Sequence, residues 1–252
     1  VLLESALPGL IEWRRVVDWR LTQLKKMKNV GLYPSSPMTA EEILESGAQN
    51  VIIATGATWR RDGVGRTLWK PIVGFDAGNV FTPDDIMDSG SLLPKEQKHT
   101  LSGTRASAIQ NIVIYDDDHY YMGGVLAELL AEQGCQVALV TPAPMISYWS
   151  QFTLEQDRVQ AKLMKLGVKL YPQSVLSEIK NDSVRLSNTI SGDEVELPRD
   201  GVVLVSDRTP NDALYQALSA SSSFVAHLPR VQVPGTNTPH SAQRGTLRII
   251  GD

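Results

Sequence analysis

Residues 112–124, Ile-Val-Ile-Tyr-Asp-Asp-Asp-His-Tyr-Tyr-Met-Gly-Gly, sit inside a frame that admits few folds. Ile112 to Tyr115 reads as a buried parallel strand. Residues 121–133 read as a helix with Met122, Val125, Leu126, Leu129 and Leu130 on one face. Gly134 ends that helix, and Val137 to Val140 is the next strand. This is a βαβ unit. In a dinucleotide-binding unit the strand-to-helix turn carries G-x-G-x-x-G, so that backbone amides can close on a pyrophosphate. Counting back from Gly134, the three glycine positions fall near Asp118, Tyr120 and Gly123. Side chains fill the first two, and three carboxylates crowd the turn. An acidic run at a helix N-terminus satisfies the helix dipole by itself and repels phosphate. The frame is kept and its usual ligand is cancelled.

A chain of 252 residues with 42% hydrophobic content can build one large or two medium domains with a proper core. A net charge of −4 leaves no basic footprint for nucleic acid. No run approaches the ~18 apolar residues that span a bilayer. Cys135, the single cysteine, precedes a strand and reads as a small buried hydrophobe. One cysteine can neither close a disulfide within the chain nor hold an iron–sulfur cluster. With no signal peptide visible, the expected compartment is a reducing cytoplasm. His119 beside the acidic run lacks a convergent metal geometry and reads as part of a solvated turn. His99, His227 and His240 are isolated in loops without a Ser or Cys partner. The residues therefore propose neither a catalytic group nor a metal site.

The rest of the chain supplies the order of elements. Residues 12–28 form an amphipathic helix with Trp13, Val16, Val17, Leu21 and Leu24 on one face. Thr39 and Glu42 make a capping box for a short helix that ends at Gly47. Val51 to Ala57 is a buried strand with a small-residue exit. Thr82-Pro83-Asp84-Asp85 opens another short helix, and residues 89–107 read as a linker. Thr153 to Leu166 is a helix bearing Leu154, Val159, Leu163 and Leu166. Val168 to Leu170 is a strand, and residues 174–197 form an antiparallel meander. Gly201 to Val205 is a buried strand expected to lead back to the first domain. Residues 219–246 are loop-rich. Tyr148-Trp149 with Phe152 reads as domain packing, since no basic groove accompanies it. A start without methionine, and an end on a strand running into Gly251-Asp252, read as a piece of a longer chain.

This order resembles the two-dinucleotide-domain flavoprotein disulfide-reductase fold: an Ala-Thr-Gly strand, an inserted second nucleotide domain, a return strand and a terminal strand ending in Gly-Asp. The implied fold is α/β, a glutathione-reductase-like pair of nucleotide-binding domains, the first incomplete and discontinuous. Its parts are residues 1–107 and 201–252 for the first domain and 108–200 for the degenerate second. Closer matching narrows the family. Ala6-Leu7-Pro8-Gly9-Leu10-Ile11-Glu12-Trp13, Pro37-Met38-Thr39-Ala40, Val51 to Ala57, Leu126-Ala127-Glu128 and Phe152-Thr153-Leu154-Glu155 resemble the C-terminal region of trimethylamine dehydrogenase-like amine dehydrogenases. Dimethylamine and histamine dehydrogenases are similar, and the resemblance covers nearly the whole chain. One departure is Val205-Ser206-Asp207-Arg208, where relatives of the fold have Thr-Gly-Arg.

The resemblance implies a parent enzyme whose N-terminal eight-stranded βα barrel carries FMN and a 4Fe-4S cluster and oxidises a small amine. Electrons would pass to an electron-transferring flavoprotein, and the parent would be a homodimer. The region at hand would bind only ADP, as an inert ligand, near Trp13, Ala54, Thr55, Gly56, Gly251 and Asp252. The family's first glycine loop would lie upstream of Val1. Each position also has a plainer reading: a strand exit for Ala54 to Gly56, a core residue for Trp13. Trp19 lies six residues after Trp13, about 240° round the helix, off the apolar seam. In the family this position lies at the flavoprotein docking surface, and burial under the barrel is the alternative. Two other functions share parts of the pattern. One is an NAD(P)H-dependent flavin reductase of the dienoyl-CoA reductase type, which needs an intact second glycine loop. The other is a stand-alone interaction module, which needs a complete first domain.

Overall fold

The computed structural model describes residues 1–89, 109–221, 224–226 and 245–249. Along the chain the elements are α1 (Arg14–Lys26), α2 (Ala40–Glu45), β1 (Asn50–Ile53), β2 (Ala57–Trp59), β3 (Val80–Phe81), α3 (Pro83–Ser89), β4 (Asn111–Asp116), α4 (Met122–Glu132), β5 (Gln136–Val140), α5 (Gln156–Lys165), β6 (Lys169–Tyr171), β7 (Ser174–Ile179), β8 (Ser183–Asn188), β9 (Glu194–Pro198), β10 (Gly201–Val205), β11 (Arg208–Pro210), α6 (Ala213–Ser219), β12 (Phe224–Ala226) and β13 (Gly245–Ile249). Of the expected linker over residues 89–107, Ser89 closes α3; residues 90–107, the terminal Gly251 and Asp252, and most of 219–246 lie outside the described residues.

Two units divide the chain, the first being Val1–Met27 with Trp59–Asp207. Its frame is a parallel sheet in the order β3-β10-β4-β5-β6. Strands covered on both faces need apolar residues at every position, and all five residues of β10 are buried. In β4 the two faces feed separate cores. Ile112 and Ile114 pack with Met122, Leu126 and Leu130 of α4. Val113 and Tyr115 pack with Leu176, Val184 and Leu186 of the antiparallel β7-β8-β9 meander.

Two expectations are corrected here. Strand β10, assigned to the first domain by the sequence, lies at the heart of this sheet, bonded to β4 from Gly201↔Ile112 to Val205↔Asp116, and residues 1–27 and 59–89, expected in the first domain, also belong to this unit. The second unit resumes at Arg208. One helix does not run from Thr153 to Leu166. A 3-10 segment occupies Tyr148–Thr153, Leu154 takes a left-handed conformation (φ 61°, ψ 28°) with its side chain in solvent, and α5 starts at Gln156. Leu163 alone of the four expected apolar positions is fully buried. In α1 the seam of Val16, Val17 and Leu24 is half-buried, while Trp13 and Leu21 are exposed.

The second unit, Lys28–Thr58 with Arg208–Asp252, holds a parallel sheet in the order β1-β13-β12. Ile53 of β1, Leu247 of β13, and Tyr215 and Leu218 of α6 form its core, with Ile43 and Leu44 of α2 packed against it. The capping box of α2 forms as expected. The Glu42 N–H donates to Thr39 Oγ1 at 3.3 Å, and the Thr39 N–H donates to Glu42 Oε2 at 2.7 Å.

Candidate functional site: a closed nucleotide turn

Strand β4 delivers Asp116 and Asp117 to the turn before α4, and both are wholly buried. Asp116 Oδ1 accepts the His119 N–H at 2.9 Å, which holds His119 at φ 66°. A Cβ built on Gly123 would fall 2.6 Å from Asp116 Cγ and Oδ2. The Asp116 side chain therefore fills the space over the first turn of α4, where a phosphate approaches in a working site. Any side chain at position 123 would collide with it. Burial pushes the Asp116 carboxyl up to about 7, with neighbouring Asp118 adding to the rise and the His119 N–H opposing it. Burial, with Asp117 and Asp116 close by, also raises the Tyr115 hydroxyl.

Asp117 faces the other way and clamps a distant loop. Its Oδ2 accepts the N–H of Thr67 at 2.9 Å and of Leu68 at 3.3 Å. A Cβ on Gly65 would lie 2.4 Å from that oxygen. The backbone N–H groups of Asp117 and Asp118 donate to the Val205 carbonyl at 2.8 and 3.2 Å, so β10 anchors the turn from behind. Arg66 closes the mouth: it donates to the Asp118 carbonyl at 3.2 Å and to Asp118 Oδ1 at 3.4 Å, and its guanidinium lies 4.5 Å from the Trp149 ring centre. The Trp149 N–H in turn donates to the His119 carbonyl at 2.9 Å. His119 Nε2 stands 3.1 Å from Asp117 Oδ1, near enough for charge pairing but not aligned as a hydrogen bond.

The solvated acidic turn expected from the sequence is thus corrected to a buried one. Local reading misses its lid, residues 65–68, because these lie about fifty positions away in the chain. Among the described residues no group of three His, Cys, Asp or Glu side chains converges as a metal site. Cys135 is half-buried, its Sγ 3.9 Å from the Ile109 carbonyl, and burial raises its thiol.

The residues proposed to line a nucleotide fall in both units. In the second, Ala54, Thr55 and Gly56 form the exposed exit of β1. Asn211 locks this turn. The Thr55 hydroxyl donates to the Asn211 carbonyl at 2.5 Å, Asn211 Nδ2 returns a bond to the Thr55 carbonyl at 3.2 Å, and the Asn211 N–H donates to the Gly56 carbonyl at 2.8 Å. Gly56 sits at φ 70° with open space where a Cβ would be. In the first unit Trp13 lines a cavity of 560 Å³ together with Leu10, Tyr120, Tyr121, Val125 and Val159. Trp19 is 64% exposed. Gly251 and Asp252 lie outside the described residues. No helix among the described residues is long and apolar enough to cross a membrane.

A five-stranded parallel sheet and an antiparallel meander define an α/β fold whose βα turn is sealed by side chains. Residues 96–213 match the OYE-like second alpha/beta domain. Over most of its length the chain matches trimethylamine dehydrogenase-like amine dehydrogenases, as the motifs had suggested. It is 32% identical to dimethylamine dehydrogenase of Hyphomicrobium sp. (strain x), covering 86% of this chain and 31% of that protein. The structure of histamine dehydrogenase from Rhizobium sp. 4-9 is similar at 40% identity and a TM-score of 0.78, covering 87% of this chain and 32% of the other. That of 6-hydroxypseudooxynicotine amine oxidase from Pseudomonas geniculata N1 gives 38% identity and a TM-score of 0.79, covering 87% and 30%. The chain therefore spans about a third of the length of these relatives.

Proposed function

We propose that this chain is the C-terminal, non-catalytic region of an oxidoreductase that acts on the CH–NH bond of a small amine. The observation that carries this reading is the sealed β4–α4 turn. Asp116 occupies the phosphate position, Asp117 holds the 65–68 loop over it, and both carboxylates are buried. A pyridine nucleotide would have to displace two buried carboxyl groups that the chain has built in. This weighs against a reductase of the dienoyl-CoA type, and the similarity to amine dehydrogenases favours the other chemistry.

In this reading the fold derives from a glutathione-reductase-like pair of nucleotide-binding domains, of which the discontinuous ADP-type domain is incomplete. Ala54, Thr55 and Gly56, with Gly251 and Asp252, would hold ADP. The rigid, open turn at Gly56 fits a ligand lying against backbone. FMN and a 4Fe-4S cluster would belong to the barrel of the parent, where they supply two-electron acceptance and one-electron relay. The chain's own contributions are packing on that barrel and presenting Trp19 to an electron-transferring flavoprotein. The parent would be a cytoplasmic homodimer.

Calorimetry of the protein that carries this chain, titrated with NADPH and separately with ADP, tests the reading. Heat from ADP and none from NADPH is expected, alongside bleaching of the bound flavin by an amine. NADPH binding at micromolar affinity, or flavin reduction by NADPH, would overturn it in favour of the reductase.

A further inference from the structure

The 3-10 segment Tyr148–Thr153 carries an apolar knuckle that none of the described residues covers. Phe152 is 78% exposed, Leu154 93% and Trp149 42%. A 3-10 helix has three residues per turn, so Trp149 and Phe152 eclipse one another on a single face. Leu154 follows at once. The segment is bracketed by Ser147 and Leu154, both in left-handed conformations that L side chains adopt only under constraint.

That constraint is built with some care. The Glu155 N–H donates to the Ser150 carbonyl at 3.0 Å, the Leu154 N–H to the Gln151 carbonyl at 3.2 Å, and Gln156 Nε2 to the Ile146 carbonyl at 3.0 Å. At the other end the Trp149 N–H is fixed on the His119 carbonyl, and Arg66 covers the indole face. A backbone held in sparsely populated conformations to push two large apolar side chains into water is costly in isolation. Such outliers gather at clamps and contact sites, and exposed apolar anchors of this kind mark interfaces.

We infer that Phe152 and Leu154, with Trp149, are the anchor by which this region seats on the remainder of its own polypeptide. The inference deepens the reading of the chain as one part of a larger enzyme, and rests on it. Length argues for this occupant: the relatives are about three times as long, so most of their mass lies beyond the region matched here. Charge argues for it as well. Transient electron-transfer partners are steered by fields of one sign, whereas permanent interfaces are apolar and depleted of free charge. Beside the knuckle Arg158 and Glu155 neutralise one another at 3.1 Å, and Glu155 also accepts a hydrogen bond from Thr153 Oγ1 at 2.9 Å.

Carbene footprinting of the intact protein tests the inference. Ile190, in the turn after β8 and 75% exposed, serves as the internal reference. Phe152 and Leu154 should be modified about tenfold more slowly than Ile190 with no acceptor protein added, and equally so across a dilution series followed by light scattering. Leu154→Glu, a change at a side chain already in water here, should raise Phe152 labelling to the level of Ile190. Labelling of Phe152 equal to that of Ile190 in the unmodified protein overturns the inference. Shielding lost on dilution to monomer assigns the surface to a second copy and overturns it too. Shielding that appears only with an electron-transferring flavoprotein does the same in favour of that partner, as does shielding that survives Leu154→Glu. Failure of an amine to reduce the bound flavin, with shielding intact, would instead sink the enzymatic reading and leave the anchor standing.

Discussion

Replacing Asp116 by Asn should make the protein more stable at alkaline pH and leave that gain largely absent in acid. The carboxyl is fully buried and its pKa is pushed up to about 7 from the ordinary 3.8, chiefly by lost hydration. A group that is more basic in the native state binds its proton more tightly there than in the unfolded chain. Folding is therefore favoured while the carboxyl is protonated. That advantage drains away as pH rises from the unfolded value through the folded one. At about 1.4 kcal/mol per pKa unit, the cost of ionising Asp116 should grow by roughly 2–3 kcal/mol between pH 5 and pH 8. Asn keeps an acceptor for the His119 N–H, now at 2.9 Å from Oδ1, and carries no charge at any pH. Urea unfolding of both proteins at the two pH values measures the effect. The stability difference between variant and parent should swing toward the variant by that amount on going to pH 8. Equal differences at both pH values would refute the argument, because a contact effect has no reason to follow that window.

Three further outcomes are expected. Gly74→Ala should destabilise by about 3 kcal/mol or more in a urea titration, since its Cβ would meet the Ile179 carbonyl at 1.9 Å with φ at 82°. Asp117→Ala removes the acceptor for Thr67 and Leu68, so trypsin should cut after the half-exposed Arg66 roughly tenfold faster; an unchanged rate would mean the loop is held by other contacts. Trp19→Ala should slow electron delivery to the flavoprotein acceptor in stopped flow by weakening the encounter by about 1–4 kcal/mol, with amine reduction of the flavin unaltered.

Where pairing is local, the fold could be read from the chain. The βαβ unit at 111–140, the Thr39–Glu42 capping box and the 174–197 meander all follow from periodicity and turn residues within a short window. What failed depended on partners far away. Five consecutive apolar residues at 201–205 announce a strand covered on both sides, but not which sheet receives it. Asp116 to Asp118 read as solvated because carboxylates usually are. Their burial is imposed by residues 65–68 and by the Val205 carbonyl. Leu154 fits a helical stripe with Val159, Leu163 and Leu166, yet the left-handed break before α5 turns it outward. At the candidate site, Thr55 and Gly56 were visible as a small-residue strand exit, whereas Asn211, which ties that exit down, carried no signal of its own.

The place of β10 also sets an order of events on the ribosome. Strands β3, β4, β5 and β6 are all synthesised before it, yet β10 fills the gap between β3 and β4. Until residues 201–205 emerge, the nascent chain carries a gapped sheet with bare amide and carbonyl groups along one side of β4, a ready template for wrong pairing. The Val205 carbonyl that receives the Asp117 and Asp118 amides is missing over the same interval. Sheet completion and turn closure are thus one late step, and a ribosome stalled before that point would expose a sticky intermediate to chaperones and proteases.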